Sequence, residues 1–212
     1  LIANEFFDAL PIRQFERRQT GWHERLVALR EDEGLCFVLS DSQIANTLIP
    51  KPHINAKSGS IVEICPAATS ILSRVAVTIG LWGGAALIID YGHDGSRPGE
   101  TFQAIKQHAY CSPLAAPGDA DLTAHVNFGH LIDAAKLKST TVYGPVTQSI
   151  FLKSLGIQER GKALMKHANN EERLKIHRGL RRLIDQQQMG EVFKALSIGR
   201  SDTLPPPGFE GL

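Results

Sequence analysis

Apolar and polar residues follow two patterns along the chain, and together these patterns predict an α/β fold. Apolar side chains recur at helical spacing between Ile71 and Ile79, after Pro66, a residue that a helix tolerates in its first turn. Gly83-Gly84 then precedes a continuous apolar run at Ala85–Ile89. A continuous run predicts a strand covered on both faces, as in a parallel sheet flanked by helices. Helix, turn and buried strand in this order form half of a doubly wound α/β unit.

The other segments predict strands early in the chain and helices late in it. Gly21 and residues 31–34 interrupt the early strands as hairpin turns do, and Gly144-Pro145 is expected to stop a later strand. Residues 46–58 are predicted to be a loop, and residues 201–212 a tail without core residues. The predicted strands are Leu1–Ala3 (the end of a buried strand), Arg13–Arg17, Glu24–Leu29, Cys36–Leu39, Thr140–Tyr143 and Glu191–Ile198. Residues Ser60–Cys65 are either a short strand or an approach to a helix. The predicted helices are Ser149–Leu155, Glu159–His167, Glu171–Ile184 and a segment capped by Asn127.

Composition narrows the class of protein. The 212 residues are 42% hydrophobic and 21% charged, which is enough for a folded core of one or two domains and excludes a disordered chain. The net charge of +1 does not indicate a nucleic-acid partner. The longest uncharged run, at 75–89, is shorter than the roughly 18 apolar residues of a membrane span. Cys36, Cys65 and Cys111 are widely spaced, so we expect free thiols rather than disulfides or zinc ligands.

Polar side chains follow two of the predicted strands at the points where they end. Asn4, Glu5 and Asp8 come after the first strand, and the segment from Tyr91 to Gly95 comes after the buried one. Because the carboxyl ends of parallel strands meet at one edge of a sheet, both segments are expected to line one cleft. Carboxylates there can bind a cation, act as a general base or hold a ribose hydroxyl. The alternative is that Glu5 and Asp8 only cap the next turn and that Asp94-Gly95 is an ordinary turn.

Other sequence signals are weaker. No GxGxxG, Walker, GxSxG or HExxH motif occurs, and His125 and His130 are spaced too far apart for one helix face, so no metal site is expected. Residues 153–200 contain eleven Lys and Arg against five Asp and Glu. This excess is either a solvated outer face or a docking surface for an acidic protein. RNA is disfavoured because no aromatic residues are interleaved for base stacking.

Several sequence blocks, in this order along the chain, resemble the MidA family. Its members are S-adenosylmethionine-dependent methyltransferases and include a mitochondrial arginine methyltransferase of complex I assembly. The blocks are Ala3–Pro11 (ANEFFDALP), Val62–Pro66, Gly83–Gly95, Ala116–Val126, Gly144–Gln148 with Phe151-Leu152 and Leu155–Ile157, and Met189–Glu191 with Phe193-Lys194.

The resemblance implies a Rossmann-like class I methyltransferase sheet in an α/β fold. Residues 1–157 would be the C-terminal half of that domain, with a β-hairpin insertion at about 12–58, and residues 158–200 would be a helical segment and final strand before the tail. The family's glycine-rich cofactor loop and ribose-binding acidic residue precede the position of Leu1. The chain is therefore expected to be the C-terminal part of a longer protein and to bind S-adenosylmethionine weakly or not at all by itself.

The resemblance also implies a set of roles. Glu5 and Asp8 would clamp the guanidinium of a substrate arginine, and Asn4 would lie at the methionine end of S-adenosylmethionine. Tyr91, Gly92, His93 and Asp94 would line the substrate side of the cleft. The substrate would be a protein, with a respiratory complex I subunit as one candidate, in the cytoplasm of a bacterium or the mitochondrial matrix of a eukaryote. A homodimer is one option for the assembly.

Two other functions stay open. The chain could serve mainly as an assembly factor that binds a partner subunit through residues 13–39 and the basic C-terminal helix. It could also be an α/β enzyme that modifies a nucleotide or sugar, although no phosphate-binding loop is present in these residues.

Overall fold

The computed structural model describes residues 1–31, 34–96, 98–107, 109–115 and 117–210. The strands of its main sheet are β1 (Ile2–Asn4), β6 (Ala86–His93), β10 (Val126–Asn127), β11 (Thr140–Thr147) and β12 (Phe193–Arg200). They lie in the order β1-β6-β12-β11, and β10 pairs with the C-terminal end of β6. β1 and β10 run parallel to β6, whereas β12 is antiparallel to both of its neighbours.

Apolar side chains cover both faces of this sheet. On one face, α1 (Pro66–Trp82) and α2 (Phe128–Ala135) pack against Ala86 and Ile88 of β6. On the other face, Phe151 of α3 (Gln148–Ser154) belongs to a second apolar cluster, and Leu87 and Ile89 of β6 pack against this cluster. The continuous apolar run is therefore a strand covered on both sides, as predicted.

Two smaller sheets lie beyond the carboxyl ends of β1 and β6. Their strands are β2 (Arg13–Arg17), β3 (Trp22–Arg30), β4 (Gly34–Gln43), β5 (Ile61–Ile64), β7 (Gln103–Lys106), β8 (Ala109–Cys111) and β9 (Asp121–Thr123). The first sheet has the order β4-β3-β2-β5, and the second has the order β8-β7-β9. The first sheet has a separate apolar core, formed by Phe15, Trp22, Ile49 and Val62.

The remaining helices lie near the C-terminal end. α4 (Ile157–Lys166) and α5 (Asn170–Ile184) pack on each other, and α6 (Met189–Val192) leads directly into β12. Asn169 opens α5 with a capping box. Within the described residues, no helix is both long and apolar enough to cross a membrane.

Most predicted elements are present, and five expectations are wrong. Tyr91, Gly92 and His93 do not follow the buried strand, because β6 continues to His93. β11 does not stop at Tyr143, because Gly144-Pro145 form a bulge after which the strand resumes. The segment from Glu191 begins as helix. The C-terminal tail carries a core residue, Phe209, which packs on Phe151. β1 is not a buried strand, because Ile2 is exposed and only Ala3 is buried.

A whole sheet, formed by β7, β8 and β9, was not predicted at all. The turn predicted at 31–34 includes Asp32 and Glu33, the fourth block of the resemblance begins at Ala116, and the tail ends at residues 211 and 212. These residues lie outside the described part of the chain.

Candidate active site

The first side of the site is the segment that leaves β1. Glu5 donates its backbone N–H to the carbonyl of Ile89 at 3.0 Å, which extends the pairing of β1 with β6 by one residue. Its φ of 46° lies in the left-handed region, which few residues other than glycine adopt. Such strain persists only where surrounding contacts enforce it, and it is concentrated at functional sites. The side chains of Asn4 and Glu5 are both exposed at this strand end.

The contacts that hold this segment come from Asp90, a fully buried residue of β6. Its Oδ2 accepts hydrogen bonds from the backbone N–H groups of Phe6, Phe7 and Asp8, at 3.2, 3.0 and 3.3 Å. Its Oδ1 accepts one from the N–H of Tyr91 at 3.0 Å. One buried carboxylate therefore fixes the two predicted segments against each other, and they do form one site.

Asp8 and Tyr91 meet at the centre of this site. The Tyr91 hydroxyl donates to Oδ2 of Asp8 at 2.6 Å, and Asp8 is only 6% exposed. Its other oxygen, Oδ1, is buried, and no donor in the described part of the chain reaches it. Within the same residues, no Lys, Arg or His forms an ion pair with Asp8 or Asp90. The site thus holds two neighbouring acidic groups without a cation.

This arrangement changes how the groups titrate. Burial, helped by the negative charge of Asp8, raises the pKa of Asp90 to about 7, although its backbone hydrogen bonds act in the opposite direction. Burial and the hydrogen bond to Asp8 also raise the pKa of Tyr91, so its hydroxyl stays protonated at neutral pH. The hydroxyl is therefore a permanent donor to Asp8, and among the described residues neither carboxyl is already paired with a cation.

Two histidines stand next to Tyr91. Burial lowers the pKa of both His93 and His125, so both imidazoles are neutral at neutral pH. His93 accepts a hydrogen bond at Nδ1 from the backbone N–H of Gly95, and the ring of His125 lies edge-on to Tyr91 at 5.4 Å. Both rings are therefore uncharged neighbours of Tyr91.

The other two residues expected in the cleft have different surroundings. Gly92 is buried in β6, and a Cβ at this position would lie 2.0 Å from the carbonyl oxygen of Val126. The close approach of β10 therefore requires glycine here. Asp94 is exposed, and its Oδ1 accepts the backbone N–H of Ser96 at 2.9 Å. Hydrogen bonds from the Ser96 hydroxyl and from this N–H lower the pKa of the Asp94 carboxyl. The contact with the backbone N–H is the turn hydrogen bond that the sequence offered as the alternative.

Sequence reasoning missed Glu63, which lies near the end of β5 and joins the two smaller sheets. Its Oε1 accepts hydrogen bonds from the side chain of Gln14 at 2.8 Å and from the backbone N–H groups of Thr101 and Phe102 at 3.0 and 3.1 Å. Its Oε2 accepts the hydroxyl of Thr101. Nothing in local spacing marks this residue, because its partners lie 38 to 49 positions away.

A cavity of about 390 Å³ extends from Asp8 between the two smaller sheets. Phe102 and Leu122 bound it on the side of the three-stranded sheet, and Val27 and Phe37 bound it on the side of the four-stranded one. Its volume falls within the range of about 300–1,000 Å³ that is typical of ligand sites. The strand ends therefore open onto a space that can hold a side chain of another molecule.

A model of S-adenosyl-L-methionine-dependent methyltransferases matches residues 1–146. The chain belongs to this family. The match includes every residue of the site described above and confirms the resemblance seen in the sequence.

Curated relatives of the family are similar over most of this chain. It is 41% identical over 201 residues to "Protein arginine methyltransferase NDUFAF7, mitochondrial" of Danio rerio, and 37% identical over 201 residues to the protein of that name in Homo sapiens. The alignments cover 93% of this chain but only 46% and 44% of those proteins. The chain spans about half the length of the curated relatives that it matches.

A solved structure shows the same fold. A Burkholderia thailandensis protein, crystallised with S-adenosyl-homocysteine, superimposes with a TM-score of 0.86 at 26% identity. The superposition covers 99% of this chain and 55% of that one. The fold described here is therefore about half of a larger fold in that relative.

Proposed function

We propose that this protein is a methyltransferase that uses S-adenosylmethionine to methylate arginine in a protein substrate. The observation that carries the proposal is the buried Asp8 carboxylate, which lacks a partner for Oδ1 and lies beside Asp90 without a counter-ion in the described residues. Buried charge without a partner is costly, so such a site favours a cationic guest. An arginine guanidinium stays charged at all relevant pH values and offers several N–H donors in a fixed plane.

Asp8 and Glu5 would bind different N–H groups of the substrate guanidinium. Asp8, fixed by Tyr91 and by its backbone bond to Asp90, would accept guanidinium N–H groups on the buried side. Glu5, exposed at the rim with a strained backbone, would accept the remaining ones and orient one nitrogen toward the methyl donor. Tyr91, His93 and the turn at Asp94 would bound the substrate side, and Gly92 would let β10 approach.

The cofactor fits the carboxyl end of β1, where open α/β sheets bind their ligands. Asn4 and Glu5 are exposed there, and a carboxylate suits the neighbourhood of a sulfonium. When bound, S-adenosylmethionine supplies an electrophilic methyl group. Asn4 would hold its methionine end, and the contacts to the rest of the cofactor would come from a longer chain of the kind that the relatives have.

The relatives carry "mitochondrial" in their names, so a matrix location is proposed for a eukaryotic source and the cytoplasm for a bacterial one. A complex I subunit is the candidate substrate protein, and homodimerisation is a further option for the assembly.

The proposal is tested by Glu5→Gln in the protein encoded by the complete gene. We expect methyl transfer to fall about a hundredfold or more, because the bound substrate would cover Glu5, and losing one partner of a charge pair that is buried in a complex costs about 2–5 kcal/mol. Binding of S-adenosylmethionine, measured by calorimetry, should stay unchanged. Glu171→Gln, a change at an exposed position of α5, is the control and should keep full activity. Near-normal transfer by Glu5→Gln would contradict the clamp.

A non-catalytic role as an assembly factor has one observation in its favour, the basic excess of residues 153–200. Among the described residues, Lys175 and Arg181 form ion pairs on the outer surface of α5, whereas Arg178 and Arg182 form none. Retention of a partner subunit in pull-downs after both Glu5→Gln and cofactor depletion would favour this role.

A further inference from the structure

The hairpin of β3 and β4 presents an apolar face next to the site. In the antiparallel pairing, Val27 faces Phe37 and Leu29 faces Leu35, so these side chains share one face of the ribbon. Val27 and Leu29 are 53% and 77% exposed. Apolar side chains exposed together in this way are typical of a surface that binds another molecule.

This face is continuous with the cavity that begins at Asp8. Val27 and Phe37 line the cavity, and Leu10, Phe102 and Leu122 supply its other apolar walls. Asp8 lines the same cavity, and its buried Oδ1 has no donor among the described residues. One end of the cavity is therefore suited to a cation and the remainder to an apolar group.

The three other polar side chains in the cavity wall already have partners. The guanidinium of Arg25 stacks on the ring of Phe37 at 3.9 Å and forms an ion pair with Glu100. The amide of Gln14 donates to Glu63 at 2.8 Å, and the hydroxyl of Thr123 accepts a hydrogen bond from the side chain of Gln103 at 3.3 Å. None of these groups therefore needs a polar ligand, and the cavity beyond Asp8 is apolar in character.

We propose that this cavity is a specificity pocket that receives an apolar side chain adjacent to the target arginine of the protein substrate. The proposal rests on the proposed arginine methylation, since the arginine is what places its neighbour in the pocket. The substrate segment lies along the exposed face of the hairpin, with Val27 at the rim. The continuity of the apolar walls with the acidic end favours a polypeptide segment over a free small molecule, which would not need the exposed hairpin face.

Two synthetic peptides test this pocket in the protein encoded by the complete gene. One has the sequence Gly-Gly-Leu-Arg-Leu-Gly-Gly, and the other has serine in place of both leucines. We expect the leucine peptide to have a kcat/KM about tenfold higher or more, which is the scale on which apolar pockets discriminate. The difference should lie mainly in KM, because the flanking side chain binds equally in the ground and transition states.

Two neighbouring residues of β3 give a matched pair of variants. Val27→Asn places a polar group at the rim of the pocket. Leu26→Asn makes a comparable change on the opposite face of the same strand, at a residue that is 44% exposed. Val27→Asn should reduce the preference for leucine to about threefold or less, and Leu26→Asn should retain it. If both variants lose the preference for the leucine peptide equally, or if the unmodified protein shows no such preference, the proposed pocket is wrong.

Fluorescence anisotropy of the same peptides, carrying a fluorescent label, separates this inference from the function on which it rests. If neither peptide is methylated but the leucine peptide still binds about tenfold more tightly, the pocket stands and the proposed arginine methylation fails. If methylation occurs and both peptides bind equally, the proposed function stands and the pocket is wrong.

Discussion

Replacement of Asp90 by asparagine tests the electrostatic account of the site. Asparagine has nearly the same shape and keeps one acceptor oxygen for the backbone N–H groups of the segment after β1, but it cannot ionise. In the unmodified protein, burial and the charge of Asp8 raise the pKa of Asp90 from 3.8 to about 7. The folded protein therefore keeps a proton that the unfolded chain releases near pH 4.

The sign and size of the effect follow from this shift. Because the folded state binds more protons than the unfolded state between about pH 4 and pH 7, the free energy of unfolding falls as pH rises through that window. For one carboxyl group with these two pKa values, linkage gives a loss of about 2.5 kcal/mol between pH 5 and pH 8. The amide in Asp90→Asn does not titrate and has no such loss, so the variant gains about this amount relative to the unmodified protein.

Urea unfolding followed by circular dichroism at pH 5 and pH 8 measures this change directly. The difference between unmodified protein and Asp90→Asn should shift by about 2.5 kcal/mol in favour of the variant at the higher pH. Asp133→Asn, with a side chain that is 76% exposed, is the control and should show a shift below about 0.5 kcal/mol. A shift below about 0.5 kcal/mol for Asp90→Asn, or one of opposite sign, would refute the assignment of a raised pKa.

Two further predictions concern stability. In thermal denaturation, Gly92→Ala should lower the free energy of unfolding by about 2 kcal/mol or more, because the new Cβ would lie 2.0 Å from a backbone oxygen. Gly99→Ala, at a position with open space around it, is the control and should change the free energy of unfolding by less than about 0.5 kcal/mol. Glu63→Ala should cost about 2–3 kcal/mol in urea unfolding, because it leaves one hydroxyl and two backbone N–H groups without their acceptor. Glu171→Ala at the surface is its control, and equal losses in these two variants would contradict the bridging role of Glu63.

The elements that the sequence predicts well are those whose structure is determined by residues close together in the chain. The helix after Pro66 has both a start signal and an apolar stripe, and the run at 85–89 is apolar without interruption. Asn127 is the observed cap of α2, with its side chain accepting the N–H of His130. Each of these features is decided within a short stretch of chain.

The parts that could not be predicted depend on contacts between distant residues. The three strands of the β8-β7-β9 sheet have only three or four residues each, which is too short for periodicity to show. Phe209 follows a run of prolines, and only the folded tail brings it to Phe151. A wrong strand end at Tyr143 has a similar origin, because pairing with β12 carries β11 across the bulge.

The candidate site was predicted in part. The pattern of polar residues at predicted strand ends marks Glu5, Asp8 and Tyr91, and the structure brings Asp8 and Tyr91 into contact. The role of Asp90 was missed because a carboxylate that closes an apolar run resembles a turn residue. Its place in the alternation of Ala86 and Ile88 is the signal that could have marked it as buried.

The bonds of Glu63 have a consequence for how this enzyme family can diversify. The hairpin wall and the three-stranded wall are separate excursions of the chain, and Glu63 links them beside the ion pair of Arg25 with Glu100. A substitution that displaces one wall is therefore transmitted to the other, whereas the main sheet, which carries none of these bonds, is left in place. Laboratory evolution toward a new substrate sequence should accordingly accumulate compensating pairs of substitutions, one in each wall, rather than single substitutions. Glu63 should be retained, because its hydrogen bonds connect the two walls.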